Sequence, residues 1–318
     1  QGNDLISIAG GVTSDVLYGG SGNDSFVLTG KVSGTLVDVG TGVDSLLLTS
    51  NLNNDVTLSG SITSTSVTAG AGNDTILVAA AASSAYFDVR NEGNSSLYFS
   101  ALATGTTVAG GSGADTVSLS GAANSLVLNQ ISRDAIFAGS GNDSLFVTGT
   151  AATFSALSAG AGNDSIVMAA ATQGGNTIDL GLGDDVVRFT TATNQDTVTV
   201  TSDTVSGNKT VVYESSATGA KIFTGSGNDS IVFQAALSGV NSIQTGSGND
   251  SVRFLDAASG VTVFDLGAGV DYVTAANIFQ NGLVSGGAGA DTFVIATLSN
   301  AAIYGGEDRD SVNITGSL

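Results

Sequence analysis

The side chains of this sequence that could do chemistry are aspartates that close a recurring glycine-rich turn. The pattern Gly-x-Gly-x-Asp occurs in eleven full copies. Their aspartates are Asp24, Asp44, Asp74, Asp115, Asp143, Asp164, Asp185, Asp229, Asp250, Asp271 and Asp291. Glycine allows positive φ and close approach of neighbouring backbone, so carbonyl oxygens can converge beside the carboxylate. Because Ca²⁺ takes about six to eight such oxygen ligands, the pattern predicts calcium sites.

The glycines of these turns belong to the predicted calcium sites together with the aspartates. We assign Gly20, Gly22, Gly139, Gly141, Gly160, Gly162, Gly225, Gly227, Gly246, Gly248, Gly267 and Gly269 to them. If the turns stack, neighbouring carboxylates lie about 5 Å apart and repel by on the order of 3 kcal/mol per pair at an effective dielectric of about 20. Cations would neutralise such a column. The alternative is a metal-free corner in which Asn and Asp side chains form a ladder with backbone amides.

The composition agrees with cation binding and narrows the class of protein. The chain has 28 acidic and 8 basic residues, a net charge of −20, so we expect no nucleic-acid partner. No apolar run is long enough to predict membrane insertion. Histidine and cysteine are absent, and the lack of histidine removes both the commonest general base and the commonest transition-metal ligand. We therefore expect no enzymatic activity and no catalytic residues.

The residues around each turn alternate with period 2, which indicates β-strands. Apolar residues stand two and four places after the aspartate, as at Phe26 and Leu28, and three places before the first glycine, as at Val37. A unit of this length buries its apolar side only by stacking on its neighbours. The sequence thus predicts an all-β protein, a right-handed parallel β-solenoid (a β-roll or β-helix) of about 15 coils with two main strands per coil. We expect residues 1–318 to form a single continuous solenoid that is part of a longer repeat array.

The spacing of the repeats predicts where the solenoid is irregular. Counting partial and degraded copies, 15 repeats are separated by 14 gaps, of which 11 are 19–21 residues long. The longer gaps follow Asp44, Asp115 and Asp185, and we expect loops there. Ser95 and Lys209 stand at the aspartate position of degraded copies. We expect one column of Ca²⁺ ions along one edge, interrupted at these two positions, with the Lys209 ammonium a candidate replacement for an ion.

The segments GGSGNDSFVL (19–28) and GGAGADTFVI (286–295) resemble the nonapeptide of the repeats-in-toxin (RTX) family. The resemblance implies parallel β-rolls that bind Ca²⁺ through the aspartate and the turn carbonyls. It also implies a bacterial protein that is exported by type I secretion and folds in extracellular calcium. The chain departs from the family pattern because it has one glycine turn per coil, whereas tandem nonapeptides place one at each edge.

These features favour an extracellular structural protein on the bacterial cell surface. We expect a calcium-rigidified solenoid of a surface layer or surface fibril that self-associates laterally or end to end, with cell-surface polysaccharide as a further candidate partner. An outward apolar row, either a contact stripe or ordinary strand-forming sequence, comprises Val27, Leu47, Leu77, Phe146, Val167, Val232 and Val294. The alternative function is a calcium-folding RTX module of a type I-secreted adhesin, toxin or hydrolase whose active domain lies outside this chain.

Overall fold

The computed structural model describes residues 1–90, 93–111, 113–200, 207–260 and 262–316, and all regular elements within them are β-strands. The chain divides into two compact units, Gln1–Leu157 and Ser158–Leu318. Within each unit the strands pair in parallel with the corresponding strands of the next coil, as Ser25–Leu28 does with Ser45–Leu48. The prediction of an all-β parallel solenoid is therefore confirmed.

Unit 1 contains two main parallel sheets, called sheet A and sheet B. The strands of sheet A are Leu5–Ile8, Ser25–Leu28, Ser45–Leu48, Ser66–Thr68, Tyr86–Asp88, Thr106–Ala109, Ser125–Asn129 and Ser144–Thr148. The strands of sheet B are Val16–Tyr18, Thr35–Asp38, Asp55–Ser59, Thr75–Val78, Ser96–Phe99, Thr116–Leu119 and Ala135–Phe137. A further strand, Ala156–Ser158, contains the boundary between the two units. The chain passes alternately from A to B and from B to A, which defines an A-to-B edge and a B-to-A edge.

Unit 2 repeats this plan with two main sheets, called sheet C and sheet D. The strands of sheet C are Ser165–Met168, Asp185–Phe189, Lys209–Tyr213, Ser230–Phe233, Ser251–Phe254, Tyr272–Gln280, Thr292–Ser299 and Ser311–Ile314. The strands of sheet D are Thr177–Asp179, Thr197–Thr199, Lys221–Phe223, Asn241–Gln244, Thr262–Asp265, Gly282–Ala288 and Ala302–Glu307.

The inward positions of the period-2 pattern form the core of each unit. All residues two and four places after a motif aspartate are buried, from Phe26 and Leu28 in unit 1 to Phe293 and Ile295 in unit 2. In unit 2 the rings of Phe189, Tyr213 and Phe233 stack in successive coils, with centroids 4.5 and 4.9 Å apart. Parallel pairing without register change places equivalent side chains on top of each other, so the aromatic residues stack.

Short third strands complete many coils, a feature that the two-strand prediction did not include. In unit 1 they are Val12–Thr13, Val32–Ser33, Ile62–Thr63, Ala82–Ser83 and Ala103–Thr104, and in unit 2 they are Thr193–Asn194, Ala217–Thr218 and Leu237–Ser238. They lie in the variable segment opposite the glycine turn. Their inward side chains, such as those of Val32 and Ile62, extend the core into that corner.

The glycine turns of unit 1 occupy both edges, so the prediction of a single edge is wrong for this unit. Asp24, Asp44 and Asp143 precede strands of sheet A, whereas Asp74 and Asp115 precede strands of sheet B. In the described part of unit 2, all motif aspartates from Asp164 to Asp291 lie where the chain enters sheet C. The prediction of one column of motif aspartates on one edge therefore fits unit 2 but not unit 1.

Two degenerate turns, and not bulging loops, explain the long gaps after Asp44 and Asp115. Asn54 precedes a strand of sheet B and stacks directly below Asp74, and Asn124 precedes a strand of sheet A and stacks directly below Asp143. Each Asn follows the preceding motif aspartate by half a coil, so the motif resumes on the opposite edge. The third long gap, after Asp185, contains residues 201–206, which lie outside the described part of the chain.

Candidate metal centre

The motif aspartates are buried side chains at the point where each glycine turn enters a strand. All eleven are between 1 and 3 % exposed. A representative is Asp250, whose Oδ1 accepts a hydrogen bond from the backbone N–H of Asp229 at 2.8 Å, while its own N–H donates to Oδ1 of Asp271 at 2.8 Å. The same bond to Oδ1 holds Asp24, Asp44, Asp74, Asp115, Asp143, Asp185, Asp229, Asp271 and Asp291. Each carboxylate is thus fixed by the coil before it through one oxygen.

The second carboxylate oxygen, Oδ2, is buried in most of these turns and has no hydrogen-bond partner. This holds for Asp24, Asp44, Asp74, Asp115, Asp229, Asp250, Asp271 and Asp291. A buried anionic oxygen without a partner is costly because it has lost its water and gained nothing in return. These atoms are therefore the part of the structure that most requires a cation.

Burial disfavours the charged form of a carboxyl group and raises its pKa, here at Asp44, Asp74, Asp115, Asp229, Asp250, Asp271 and Asp291. The pKa rises to about 6 at Asp115 and to about 7 at Asp229. At Asp271 burial, with additional repulsion from Asp250 and Asp291, raises the pKa to about 7. The Thr224 side chain at Asp229 and the backbone N–H that donates to each of these groups oppose the rise but do not cancel it.

The Lys209 side chain shows where a positive charge fits in such a turn. Its Nζ lies 2.6 Å from Oδ2 of Asp185 and 2.5 Å from the carbonyl oxygen of Gly183. Both side chains are fully buried. Equivalent oxygens exist in the other turns, for example Oδ2 of Asp250 and the carbonyl oxygen of Gly248. The ammonium therefore marks a cation position formed by the second glycine and the aspartate.

Because the turn glycines have no side chain, carboxylate and carbonyl oxygens can approach one another beside them. A Cβ built on Gly19 would lie 2.6 Å from Oδ2 of Asp24 and 2.5 Å from the carbonyl oxygen of Val39 in the next coil. A Cβ on Gly110 would lie 2.7 Å from Oδ2 of Asp134 and 3.4 Å from Oδ2 of Asp115. Carboxylate and carbonyl oxygens thus surround a point that any larger residue would occupy.

Stacking also requires glycine within the turn itself. Gly248 has a φ of +127°, and its Cβ position is only 1.9 Å from the carbonyl oxygen of Gly227 in the coil below. Positive φ is shared by all twelve glycines assigned from the sequence, which are Gly20, Gly22, Gly139, Gly141, Gly160, Gly162, Gly225, Gly227, Gly246, Gly248, Gly267 and Gly269. The assigned glycines therefore shape the turn, and their carbonyl oxygens are available as ligands.

The oxygens present fit Ca²⁺ better than a transition metal. Among the residues that the structure describes, no three His, Cys, Asp or Glu side chains form a metal-binding group. An ion at these turns would take few carboxylate oxygens and complete its ligand shell with backbone carbonyls. That all-oxygen set is the one that hard cations such as Ca²⁺ prefer.

The metal-free ladder that the sequence left open is also present, but it uses other atoms. Side-chain Oδ1 of Asn228 accepts the N–H of Asn249 at 2.7 Å, and Oδ1 of Asn249 accepts the N–H of Val270 at 2.7 Å. Similar bonds join Asn3 to Asn23 and Asn53 to Asn73. The exposed Asn residues and Oδ1 of the aspartates form ladders, whereas Oδ2 of the aspartates faces the candidate ion position. The two interpretations therefore coexist in one turn.

The degraded copies keep the backbone ladder to different extents. The hydroxyl of Ser95 accepts the N–H of Asp74 at 3.3 Å, and the N–H of Ser95 donates to Asp115 at 2.8 Å. Ser95 thus maintains the stack but supplies no second oxygen. At the far end of unit 2, Asp308 adopts a φ of 76° in place of the second glycine, and Asp310 accepts the N–H of Asp291 at 3.0 Å.

Sequence reasoning missed several buried polar residues that belong to these columns. Asp134 accepts the N–H of Asp115 at 2.9 Å, and burial raises its pKa to about 7. Asp196, Asn54 and Asn124 are likewise buried at the aspartate position of turns that lack the glycine pattern. The nine-residue spacing from Asp134 to Asp143, half a coil, was the available signal for the first.

The fold and the turns together define a class, the parallel β-solenoids with stacked glycine- and aspartate-containing turns. The family model for the RTX calcium-binding nonapeptide repeat matches in four copies, over residues 1–28 and 132–147. These parts of the chain thus match the RTX calcium-binding repeat, and the resemblance seen in the segment 19–28 is confirmed.

Comparison with other proteins adds little beyond this. No curated protein sequence matches the chain. A solved structure with a similar fold is described as a hyperactive, Ca²⁺-dependent, β-helical antifreeze protein from an Antarctic bacterium. The identity is 22 %, the match covers 98 % of this chain and 78 % of that chain, and the TM-score is 0.37. The described residues contain no helix with the length and hydrophobicity of a membrane span.

Proposed function

We propose that this chain is an extracellular structural protein, a β-solenoid that Ca²⁺ makes rigid within a bacterial surface layer or cell-surface fibril. The observation that carries the proposal is the set of buried aspartates whose Oδ2 atoms have no partner, such as those of Asp229, Asp250 and Asp271. Several such groups follow one another in successive coils. Bound cations would convert a repulsive column into a set of cross-links between coils.

The requirement for calcium agrees with a location outside the cell. Calcium modules that work extracellularly bind at roughly 10⁻⁴ to 10⁻³ M, above the free calcium of a cytoplasm. A chain whose carboxylates repel without the ion would be only partly folded inside the cell and would fold fully after export. We therefore propose type I secretion and a cell-surface location, in line with the RTX repeats over residues 1–28 and 132–147.

Exposed apolar side chains on the main sheets support self-association. Leu47 and Phe146 on sheet A are 37 and 41 % exposed, and Leu77 on sheet B is 37 % exposed beside Tyr98. The members of the outward apolar row that lie in unit 1 thus divide between two faces, for the same reason that the glycine turns divide between two edges, whereas Val167, Val232 and Val294 lie on sheet C of unit 2. Lateral contacts through these faces would bury the row, and cell-surface polysaccharide is the further partner that we propose.

We propose no enzymatic activity for the chain. General acid–base catalysis depends most often on histidine, and nucleophilic catalysis on an activated side chain beside a base. The sequence contains neither histidine nor cysteine. Its aspartates are used in a repeated structural role, with each Oδ1 bonded to the adjacent coil.

The proposal is tested by removing and restoring calcium. Chelation at neutral pH should strongly weaken the β-type far-UV circular dichroism of the purified chain, calcium should restore it, and Mg²⁺ at equal concentration should not. A spectrum that chelator leaves unchanged would contradict the calcium requirement. Electron microscopy after calcium addition should show sheets or filaments.

Variants of the exposed faces separate self-association from folding. The pair Leu47→Lys and Phe146→Lys should weaken assembly while leaving the calcium-induced spectrum unchanged. Thr13→Lys adds the same charge at an exposed position outside sheets A and B and should have no effect. If the unaltered chain stays monomeric at high concentration in calcium, the structural role is wrong, and the RTX module of a secreted adhesin, toxin or hydrolase becomes the better assignment.

A further inference from the structure

Lys209 occupies a position that carries aspartate in the neighbouring coils of unit 2. The strand Lys209–Tyr213 pairs in parallel with Asp185–Phe189, so that Lys209 lies directly against Asp185. Among the described residues, Lys209 is the one buried basic side chain, and its relative exposure is 0 %. A buried ammonium is tolerated when it is paired and hydrogen-bonded. The buried ion pair of Lys209 with Asp185 is therefore part of the packed interior of this coil.

The lysine satisfies the atom that other turns leave without a partner. Its Nζ contacts Oδ2 of Asp185 at 2.6 Å and the carbonyl oxygen of Gly183 at 2.5 Å. In contrast, Oδ2 of Asp229, Asp250 and Asp271 has no partner. The positive charge at the Asp185 turn thus comes from the chain itself.

Lys209 also keeps the backbone ladder continuous on its other side. Its N–H donates to Oδ1 of Asp229 at 2.6 Å, as the N–H of an aspartate does in the other coils. It offers no carboxylate to the coil before it, and the N–H of Asp185 donates instead to the carbonyl oxygen of Asn208 at 3.0 Å. Lysine can therefore replace aspartate here without disturbing the strands.

Two other contacts join the same pair of strands without any metal. The rings of Phe189 and Tyr213 stack with centroids 4.5 Å apart. On the outer face the Arg188 guanidinium forms an ion pair with Glu214, which directly follows the second strand. The coil pair thus combines a buried charge pair, a stacked aromatic pair and an outer ion pair.

The geometry points to Lys209 as a tethered cation that replaces a bound Ca²⁺ at the Asp185 turn. Asp185 is then a lysine partner and not a calcium ligand, and strands Asp185–Phe189 and Lys209–Tyr213 stay closed when calcium is removed. The ions bound on either side of this turn form two separate groups. The inference rests on the proposed calcium binding of the other turns, and it identifies the part of unit 2 that does not depend on the ion.

Bound calcium per chain, measured by elemental analysis after equilibrium dialysis, tests the assignment. Asp185→Asn should leave bound calcium unchanged, whereas the matched variant Asp250→Asn should lose about one ion, and Lys209→Asp should gain about one. Equal losses from Asp185→Asn and Asp250→Asn would overturn the inference while leaving the proposed function intact. An unaltered chain that binds no calcium would overturn the proposed function itself and the inference with it.

Hydrogen exchange on the unaltered chain tests the same inference without any substitution. After chelation, the amides of Lys209–Tyr213 should exchange several-fold more slowly than those of Ser251–Phe254, the equivalent strand beside Asp250. In saturating calcium the two strands should be protected alike. Equal and rapid exchange of both strands in chelator would show that the Lys209–Asp185 pair does not replace the ion.

Discussion

Asp271 accepts the backbone N–H of Asp250 through Oδ1 at 2.8 Å and keeps its Oδ2 buried without a partner. One carboxylate thus performs two tasks, because one oxygen holds the adjacent coil and the other faces the candidate ion position. The division explains why these aspartates can be both scaffold and ligand. A substitution that keeps the hydrogen bond to the adjacent coil but removes Oδ2 as a ligand would therefore separate the two roles.

The first prediction concerns pH in the calcium-free chain. Burial raises the pKa of Asp115 to about 6 and those of Asp229 and Asp271 to about 7, above the ordinary value of 3.8. A raised pKa favours the folded state below the unfolded value, and this advantage is lost as pH rises through the folded value. The calcium-stripped chain should therefore be more stable at about pH 5 than at about pH 8.

The measurement is thermal unfolding of calcium-stripped protein across this pH range. In saturating calcium the direction should reverse, because protons compete with the ion for the same carboxylates. A calcium-free chain that loses stability on acidification would contradict the assignment of these buried groups.

The second prediction concerns the stacked glycines. Gly248→Ala should destabilise the chain by on the order of 3 kcal/mol, since alanine disfavours positive φ and its Cβ would overlap the Gly227 carbonyl oxygen. Gly10→Ala is the matched control, because Gly10 has open space around its Cβ position. Denaturant unfolding in saturating calcium measures both. Similar losses from the two variants would show that stacking does not select glycine at position 248.

The third prediction concerns the degraded copy at Ser95. Ser95→Asp should keep the bond from the Asp74 N–H and add an Oδ2 between Asp74 and Asp115, so that the chain binds about one further Ca²⁺. Without calcium the same variant should be less stable than the unaltered chain, because another carboxylate is buried. Ser95→Ala is the control and should cost about 1 kcal/mol at either calcium concentration, through the lost hydroxyl bond. Isothermal titration and thermal unfolding measure the two effects. An unchanged calcium count in Ser95→Asp would contradict the ligand role of Oδ2.

The fourth prediction concerns Asn124, which begins a new column. Its Nδ2 donates to the Ala122 carbonyl oxygen at 2.6 Å and to Oδ1 of Asp143 at 2.9 Å. Asn124→Ala should therefore destabilise unit 1 by about 2 kcal/mol, because buried acceptors lose their donor. Asn313→Ala, at an exposed position, should change stability little. Hydrogen exchange near Ser144–Thr148 should localise the loss, and an undisturbed strand would argue against this role.

The sequence predicted the strands better than it predicted the edges. Inward positions such as Phe26 and Leu28 follow from period-2 alternation, a local property that survives in the structure. The exchange of edges depends instead on Asn54 and Asn124, which stand in for aspartate without any glycine pattern around them. Only the coil that stacks on each Asn reveals its role. Because the 30-residue and 28-residue gaps were interpreted as loops, all glycine turns were predicted on one edge, although those of unit 1 lie on two.

The candidate site also contained residues that local sequence predicts and residues that only the pairing between coils reveals. The glycine pattern was sufficient to find Asp250 and its equivalents, since the turn and its carboxylate lie within one hexapeptide. The partner of Asp185 was harder to find, because Lys209 lies 24 residues further along the chain. Its role depends on parallel pairing across an irregular repeat. Asp196 was missed because Thr172 and Asn176, which bond its carboxylate, also come from the preceding coil.

The half-coil steps at Asn54 and Asn124 bear on how such an array can change in length. A segment of nine or ten residues spans one face of a coil, so its duplication or deletion returns the chain to the other face with apolar side chains still pointing inward. Only the edge that carries the glycine turn changes. Genes for this kind of solenoid can therefore lengthen or shorten by half a repeat without losing the core, and each such event moves the candidate ion positions to the opposite edge.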